Sequence, residues 1–483
     1  MSNEMQGFNK EAIDKKIGLE LTKQHPWRNK FHLEMPFGLI NDPNGLCFNE
    51  GLYHIFMQWN PWGCEHKHKC WAHVQTRDFV HYKRPELALW PADAWDKDGC
   101  YSGSAWVQEG NVQVAYTGNV KYEDGRRGSF QRLGRLLPDG TVQREKLLIA
   151  APPPGYTAHF RDPYYFKKED REYLLLAGQT EGLQGRVLLY GKGAGGWEFL
   201  GPVKTGLADF GYMWECPNLL QFAEGDLLLF CPQGLPEEPY RFQNLYQSGY
   251  LWGSLQLNPP AFEAAGDFTE LDQGFDFYAP QAFAQGERNI LIGWAGMPEK
   301  EAEYPTREWG WMHALTLPRQ LSLREGRLYQ EPLQELEALR GPSVTFAEAA
   351  AVPVVVKLNR AQEVQLEVQL GPNTVQVELA LAFGAEKLVL VYDRKQQLMT
   401  LDRRQMHLGG QGLRRFKLQV DDRLKLHFFV DATLVEFFFQ DGAKAATVAL
   451  FPEEAVPPVL TVAAEGGRVV GTSWSLGSFI YEG

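Results

Sequence analysis

Short apolar runs separated by polar turns recur along the first two thirds of the chain, and they predict β-strands joined by tight reversals. The first example is GLCFNEGLYHIFMQW, from Gly45 to Trp59, in which NEG separates two apolar runs. The same plan recurs around four later positions. The five anchor residues of this repeat are Pro43, Gly103, Pro163, Pro217 and Pro280.

The repeat has a nearly constant length, because the anchors are separated by 60, 60, 54 and 63 residues. Each interval is long enough for four short strands, and a fixed period of antiparallel units without helical periodicity is typical of a β-propeller. We therefore predict an all-β fold with a five-bladed propeller over residues 28–330. An N-terminal extension over residues 1–27 precedes it.

The pattern changes after Gly341. Segments such as LKLHFFVDATLVEFFFQDG, which begins at Leu424, alternate with a period of two, and this predicts a β-sandwich over residues 342–483. Between the two domains, Leu333, Leu336 and Leu339 recur in a helical pattern. The sequence therefore predicts a linker helix over residues 331–341.

Acidic residues stand just before three of the five anchors. Asp42 precedes Pro43 in NDPNG, Asp162 precedes Pro163 in FRDPYYF, and Glu215 stands one residue further back in WECPNL. A turn alone explains Asp42, since Asn, Pro and Gly around it favour turns, but three separate turns do not require acids. Equivalent repeat positions converge on the axis of a propeller. The three carboxylates are therefore predicted to share one pocket, where like charges raise at least one pKa.

Charge and composition restrict the partners. A formal net charge of −12 and a pI near 5.5 disfavour nucleic acid and anionic membranes, because both repel an acidic surface. No apolar run approaches the ~18 residues of a membrane span, and the N-terminus does not resemble a secretory signal. Six scattered cysteines suit a reducing compartment. We expect a cytoplasmic protein with a small-molecule substrate and no cofactor, and a homo-oligomer stays open.

Six motifs, in order along the chain, resemble glycoside hydrolase family 32, which comprises invertases, fructanases and sucrose-6-phosphate hydrolases. The resemblance covers nearly the whole chain and includes VDATLVEFFFQDG near its end. It implies a five-bladed propeller that carries the site and a β-sandwich behind it, in agreement with the repeat. The six motifs are HLEMPFGLINDPNG, CYSGSAW, FRDPYYF, WECPNL, DFYAPQ and GWMHALTLPRQL.

The resemblance also implies a retaining double displacement on a terminal β-D-fructofuranosyl linkage. By position in the matching motifs, Asp42 is the nucleophile and Glu215 the acid/base. Asp162 would hold fructose hydroxyls and steady the oxocarbenium-like transition state, and Arg161 would set the charge states of its acidic neighbours. Other residues expected around the sugar are the hydroxyl partners Asn41, Gln58, Tyr101 and Ser102 and the flanking aromatics Tyr278 and Trp294.

Two features depart from the family pattern. Leu39 and Ile40 stand where relatives usually carry Trp and Met, which removes an aromatic edge from the substrate entrance. The loop CEHKHKCWAHVQTRD, from Cys64 to Asp78, has His68 where relatives place a tryptophan.

Three interpretations of this loop stay open. It is a solvated surface loop, as charged runs usually are, a zinc site, or a phosphate clamp near the leaving-group subsite, which would suit sucrose 6-phosphate. The zinc spacing matches no common structural site, and the family chemistry needs no metal. The zinc donors would be Cys64, His66, His68, Cys70 and His73, and the clamp donors would be Lys67, Lys69, His66 and His68.

Three functions fit the motifs. The leading one is a hydrolase of terminal β-fructosides, with sucrose 6-phosphate or sucrose as the substrate. A fructosyltransferase or a fructan hydrolase would use the same three acids and differ in the acceptor or in chain length. A non-catalytic sugar-binding propeller is expected to have lost at least one carboxylate, and this chain retains all three.

Overall fold

The computed structural model describes residues 9–324, 326–349 and 353–482. Residues 1–8 of the predicted extension and Gly483 at the end of the predicted sandwich lie outside these ranges. In the described part of the extension, helix α1 (Lys10–Glu20) begins at Asn9, whose side chain accepts a hydrogen bond from the backbone N–H of Ala12. None of the described helices has the length and apolar character needed to cross a membrane.

Five antiparallel sheets follow one another along the chain, and each forms one blade of the predicted propeller. The first blade comprises β1 (Gly38–Asn49), β2 (Leu52–Asn60), β3 (Cys70–Thr76), β4 (His81–Lys83) and β5 (Glu86–Leu89). The second comprises β6 (Cys100–Gln108), β7 (Asn111–Lys121), β8 (Arg127–Leu136) and β9 (Val142–Ile149), and the third β10 (Tyr156–Lys168), β11 (Arg171–Thr180), β12 (Gly185–Gly193) and β13 (Gly196–Pro202).

The last two blades are built in the same way, and the chain then returns to the first blade. The fourth comprises β14 (Met213–Phe222), β15 (Gly225–Gln233), β16 (Gly249–Leu257), β17 (Pro260–Ala264) and β18 (Thr269–Glu270). The fifth comprises β19 (Tyr278–Gln285), β20 (Arg288–Ala295), β22 (Ala314–Leu315), β23 (Arg319–Arg324) and β24 (Arg327–Pro332). Between β20 and β22, two 3-10 helices (Glu301–Glu303 and Pro305–Trp309) lead to β21 (Trp311–Met312), which pairs in parallel with β1 and closes the ring.

The first strand of every blade has a register shift against the second strand at the same place. The extra residues form a β-bulge, which bends the strand and turns consecutive side chains towards the axis. In three blades the bulge places a non-glycine residue at positive φ, at Asp162 (+60°), Cys216 (+48°) and Ala279 (+44°). The shifts lie at Ile40/Pro43, Tyr101/Gly103, Arg161/Tyr164, Glu215/Asn218 and Tyr278/Gln281.

Directly after each anchor, one polar side chain ties its blade to another. Asn44 Oδ1 accepts from the backbone N–H of Gly103 (3.1 Å), and Gln281 Oε1 accepts from the backbone N–H of Leu46 (2.8 Å). These bonds hold the first strands in fixed relative positions, which in turn fixes the bulges before them. The five side chains are Asn44, Ser104, Tyr164, Asn218 and Gln281.

The second domain consists of two six-stranded antiparallel sheets whose facing apolar side chains form one core. The propeller followed by a sandwich confirms the predicted fold. One sheet contains β25 (Arg340–Ala349), β36 (Arg468–Leu476), β27 (Gln362–Gln369), β32 (Arg423–Val430), β33 (Leu434–Phe439) and β34 (Lys444–Ala449). The other contains β26 (Val354–Lys357), β35 (Val459–Ala463), β28 (Gln376–Phe383), β29 (Glu386–Asp393), β30 (Leu398–Gln405) and β31 (Leu413–Lys417).

A short 3-10 helix, Gln334–Leu339, connects the two domains inside the predicted linker. Leu333, Leu336 and Leu339 are all buried, and their three-residue spacing matches a 3-10 helix, which has three residues per turn. The terminal strand β37 (Ile480–Glu482) then pairs in parallel with β4, so the sandwich follows the fifth blade at its start and is attached to the first blade at its end.

Buried charges join the domains in what we call the interdomain cluster, formed by His32, Asp272, Arg319, Asp431 and Glu436. The two ring nitrogens of His32 lie 2.9 Å from Asp431 and 3.0 Å from Glu436. Arg319 donates to Glu436 (2.6 Å) and to Asp272 (3.1 Å). Burial lowers the pKa of His32, but the two carboxylates outweigh that effect and raise it to about 9.

Candidate active site

The five bulges form two rings of residues around the propeller axis. The inner ring stands one position before each anchor, and the outer ring two positions before it. The five anchors, or the residues next to them, line one small cavity just below the inner ring. The inner ring is Asp42, Ser102, Asp162, Cys216 and Ala279, and the outer ring is Asn41, Tyr101, Arg161, Glu215 and Tyr278.

Asp42 is held by uncharged donors. Ser102 Oγ donates to its Oδ2 (2.5 Å), and Asn41 Nδ2 donates to its Oδ1 (2.9 Å). Gln58 fixes both donors, since it accepts from Asn41 (2.8 Å) and donates to Ser102 Oγ (2.7 Å). On the other side of Asn41, the Lys69 ammonium donates to its Oδ1. The Asp42 carboxylate is thus oriented without an ion pair of its own among the described residues.

Cys216 brings the second acid next to the first. Its backbone N–H donates to Asp162 Oδ2 (3.0 Å), while its Sγ lies 3.7 Å from Asp42 Oδ2. The positive φ of Asp162 and a hydrogen bond from its own N–H to Thr117 Oγ1 (3.0 Å) fix the backbone on the other side. Two carboxylates from different blades therefore lie on either side of one residue. A hydrogen bond with the Cys231 thiol raises the pKa of the Cys216 thiol well above its usual range, and burial and the negative charges of Asp162 and Asp42 add to this effect.

The pKa of Asp162 is raised to about 7. Burial is the largest cause, and the negative charges of Glu215 and Asp42 add to it. The guanidinium of Arg161 and the N–H of Cys216 act in the opposite direction but do not compensate. This is the raised pKa expected from a cluster of acids, and it falls on Asp162.

Glu215 lies in the outer ring and accepts four hydrogen bonds. Arg161 donates twice to Oε1 (3.0 Å from Nε and 2.6 Å from Nη2). Gln233 Nε2 and the Tyr278 hydroxyl each donate to Oε2 over 2.6 Å. Arg161 also reaches His159 Nδ1 (3.2 Å). The predicted partner of Arg161 is therefore Glu215, and Asp162 is only a neighbouring charge.

Two loop residues from the predicted clamp turn inward to the Asp42 side of the site. Lys69 is buried and donates to His66 Nδ1 (2.9 Å) as well as to Asn41, and His66 Nε2 lies 2.8 Å from Glu301 Oε1. Burial lowers the pKa of Lys69 to about 7, against the opposing charges of Asp42 and Glu301. The buried ring of Trp294 lies beside His66, with ring centroids 5.5 Å apart.

The other two clamp residues point elsewhere, so the four side chains do not gather around one point. Lys67 pairs with Glu65 at the surface (2.5 Å), and both side chains are at least half exposed. His68 has a positive φ of 47° and stands edge-on to Trp62. The loop is thus divided between an inner and an outer face.

The zinc alternative is also not supported by the described residues. The Cys70 thiol donates to the His68 backbone carbonyl, and His73 lies on a strand, 3.1 Å from His54. Burial raises the pKa of the Cys64 and Cys70 thiols, to about 11 for Cys64. Their donor atoms do not gather around a common point, and the single triad found among the described residues with metal-binding geometry lies in the sandwich instead.

Sequence reasoning missed several contacts of the acids. Gln233 lies at the end of β15, next to the bulge of its own blade, so its repeat position was a usable signal. Thr117 pairs with Tyr101 of the outer ring, so its repeat position was a usable signal as well. Glu301 comes from a 3-10 helix outside the repeat, and no periodic signal marks it.

Comparisons with known proteins agree with this geometry. The pattern described as "Glycosyl hydrolases family 32 N-terminal domain" matches residues 32–332, and "Glycosyl hydrolases family 32 C terminal" matches residues 335–475. The chain is 38% identical to a sucrose-6-phosphate hydrolase of Bacillus subtilis over 455 residues, which are 92% of each chain. A sucrose-6-phosphate hydrolase of Staphylococcus xylosus is 36% identical and covers 94% of each chain.

Solved structures give the same result. The structure of sucrose-6-phosphate hydrolase from Lactobacillus gasseri superimposes with a TM-score of 0.88 at 29% identity and covers 98% of both chains. A mutant of a GH32 beta-fructofuranosidase from Bombyx mori, solved in complex with sucrose, superimposes with a TM-score of 0.85 at 27% identity and covers the whole of both chains.

Proposed function

We propose that this chain, which belongs to glycosyl hydrolase family 32, is a β-fructofuranosidase that releases fructose from sucrose 6-phosphate through a covalent fructosyl-enzyme. The observation that carries the proposal is the division of labour between the acids. Asp42 is oriented by neutral donors, whereas Glu215 is bound by a guanidinium and two further donors. Retaining glycosidases need two such different carboxyl groups.

Asp42 is the proposed nucleophile. Hydrogen bonds from Ser102 and Asn41 fix its orientation, and no cation pairs with it directly among the described residues. An oxygen of Asp42 attacks the anomeric carbon of the fructosyl unit as the bond to the leaving oxygen breaks. The product of this step is a fructosyl ester of Asp42.

Glu215 is the proposed acid/base. It gives a proton to the leaving oxygen in the first step and takes one from water in the second, when water attacks the fructosyl ester. Arg161, Gln233 and Tyr278 hold both of its oxygens in place. This positioning matters because a general acid must stay within hydrogen-bonding distance of the atom it protonates.

Asp162 is proposed to bind fructose hydroxyls. With a pKa of about 7, it is partly protonated near neutral pH, so it can both donate and accept a hydrogen bond. Its ionised form also stabilises the positive charge that develops on the fructosyl ring. We assign the neighbouring polar residues Asn41, Gln58, Tyr101 and Ser102 to the hydroxyls of the same ring, and Tyr278 and Trp294 to its flanks.

The test separates the two acids by the leaving group. In Glu215→Ala, hydrolysis of sucrose is expected to fall by about 10²- to 10⁴-fold, because the leaving oxygen is no longer protonated. With β-fructofuranosyl fluoride, which leaves without a proton, the first step is expected to stay fast and a fructosyl-enzyme to accumulate. Mass spectrometry of the quenched enzyme detects that adduct. Equal loss with both substrates would contradict the assignment of Glu215.

Substrate and location belong to the same proposal. Relatives named sucrose-6-phosphate hydrolase cover almost the whole chain, and all six cysteines are free thiols, which suits the reducing cytoplasm. Analysis of products at high sucrose distinguishes a hydrolase from a fructosyltransferase. Free fructose supports the proposal, whereas longer oligosaccharides would favour the transferase.

A further inference from the structure

The wall of the site beyond Glu215 carries positive charge that the proposed chemistry does not use. Side chains at alternate positions of β8 face the third blade. Ser129 Oγ donates to the backbone carbonyl of Ala158 (2.6 Å), and Gln131 Nε2 donates to that of Phe160 (3.2 Å). Arg127 is the next residue on this face, because strand side chains alternate. It therefore lies further towards the mouth, at the start of β10.

Two neighbouring arginines differ sharply at this point. Arg126 forms an ion pair with Asp124 (2.7 Å) and lies over the ring of Tyr122. Arg127 is exposed, and its guanidinium has no hydrogen bond or ion pair within residues 9–324, 326–349 and 353–482. An exposed guanidinium beside a substrate entrance is available to a ligand anion, for which its forked donors are well suited.

His159 lies near the charge of Arg127 and contacts the arginine that binds the acid/base. Its Nδ1 receives a hydrogen bond from Arg161 Nη1 (3.2 Å), and Arg161 is bound to Glu215. Burial lowers the pKa of His159, and the charges of Arg161 and Arg127 lower it further. The ring is therefore neutral near pH 7, and with Nδ1 as the acceptor its proton is on Nε2, which remains a donor.

The positions of Arg127 and His159 determine which part of a substrate they can contact. The leaving group must depart beside the residue that protonates it, so it lies on the Glu215 side of the site. Lys69 and His66 lie in the first blade, next to Asn41, the partner of Asp42. A phosphate on the leaving sugar is thus nearer to the arginine of β8 than to the inner face of the loop.

We propose that Arg127 and His159 bind the phosphate of a phosphorylated leaving sugar, and that Arg127 is the residue that makes the enzyme prefer the phosphorylated substrate. The inference rests on the proposed function, since it uses Glu215 as the acid/base. Arg127 offers two parallel donors to the phosphate oxygens, and His159 offers the Nε2 proton.

The experiment compares kcat/KM on sucrose 6-phosphate and on sucrose for the parent, Arg127→Ala and Arg126→Ala. Loss of a charge-assisted contact is expected to lower kcat/KM of Arg127→Ala on sucrose 6-phosphate by about 10- to 100-fold. Its activity on sucrose is expected to stay within about twofold, because that substrate has no phosphate. Arg126→Ala is the matched control and is expected to change neither value.

Equal losses on both substrates, or no change in their ratio, would overturn the inference. So would a selective loss in Lys67→Ala with a normal ratio in Arg127→Ala, since that result places the phosphate on the loop. Calorimetric binding of glucose 6-phosphate tests the subsite without turnover, and Arg127→Ala is expected to weaken it at least about tenfold relative to Arg126→Ala. Normal binding in Arg127→Ala would reject the subsite even if the enzyme turns over sucrose, and weakened binding in an enzyme that cleaves no fructoside would reject the proposed function alone.

Discussion

The active site and the interdomain cluster both bury charged side chains, but they treat them in opposite ways. In the interdomain cluster, His32 lies between two carboxylates and Arg319 donates to two. In the active site, Asp162 lies among like charges, with only one backbone N–H donating to its carboxylate among the described hydrogen bonds. Complete pairing serves stability, whereas incomplete pairing leaves a group free to bind and react with a substrate.

Asp42→Asn is expected to have the largest effect, because it should abolish activity while leaving stability nearly unchanged. The amide keeps the shape of the side chain but is not a nucleophile, so we expect kcat to fall by at least about 10⁴-fold. The variant is expected to unfold at nearly the same temperature as the parent, because Ser102 and Asn41 still have a polar partner. Fructose release and a thermal unfolding scan measure the two properties. Substantial residual turnover would contradict the nucleophile assignment.

In the interdomain cluster, a substitution is expected to lower stability and leave activity nearly unchanged. Arg319→Met leaves the carboxylates of Asp272 and Glu436 buried without their main cation, and we expect a loss of about 3 to 5 kcal/mol in the free energy of unfolding. Denaturant unfolding measures it, and kcat of the folded enzyme at low temperature is expected to be close to normal. Arg324→Met, which removes the exposed pair with Glu331 on the neighbouring strand, is the control and should cost at most about 1 kcal/mol.

The charge of His32 should make stability depend on pH. Its pKa in the folded protein, about 9, lies above its ordinary value of 6.5. The stabilisation is therefore complete below pH 6.5 and is lost as the pH rises through 9. We expect the parent to lose about 2 to 3 kcal/mol of unfolding free energy between pH 6.5 and 9.5 from this group, and His32→Gln to lack this loss. Identical pH profiles for the two proteins would show that the imidazole is not charged.

Asp162 should also make stability fall as the pH rises, because its pKa is raised in the folded protein as well. Its folded pKa of about 7 lies above the ordinary value of 3.8, so its stabilising protonation is complete only below pH 3.8 and is lost as the pH rises through 7. Asp162→Asn cannot ionise, and we expect its stability advantage over the parent to be about 1 to 3 kcal/mol larger at pH 8 than at pH 5. Turnover should fall sharply in the same variant. Unfolding curves at both pH values check the sign, and a constant difference would contradict it.

Much of the site was predictable because it is built on a repeat. The anchors Pro43, Pro163 and Pro217 place Asp42, Asp162 and Glu215 at comparable positions of the repeat, and in the structure each of these positions coincides with a β-bulge. The one-residue offset of Glu215 is informative as well, since it moves this acid from the inner ring to the outer one.

The charged loop shows where such prediction ends. Lys67 and Lys69 are two positions apart, yet one pairs with Glu65 at the surface and the other is buried beside Asn41. Local sequence gives no reason for the difference, because it depends on Glu301 and Trp294, which arrive from the fifth blade. The linker shows a milder case: the leucine pattern predicts a helix over residues 331–341, and the structure has a 3-10 helix over Gln334–Leu339.

By itself, the sequence determined the repeat, the two all-β domains and the acids that meet at the axis, because strand alternation, turn residues and period are local properties. Tertiary structure alone decided which charges are neutralised. In the sequence, His32 and Asp162 are simply polar residues within motifs. Their neighbours from distant strands make His32 a stable cation and Asp162 an acid with a pKa of about 7. Electrostatic free energy depends on distances across the fold, and these are set when the blades close into a ring.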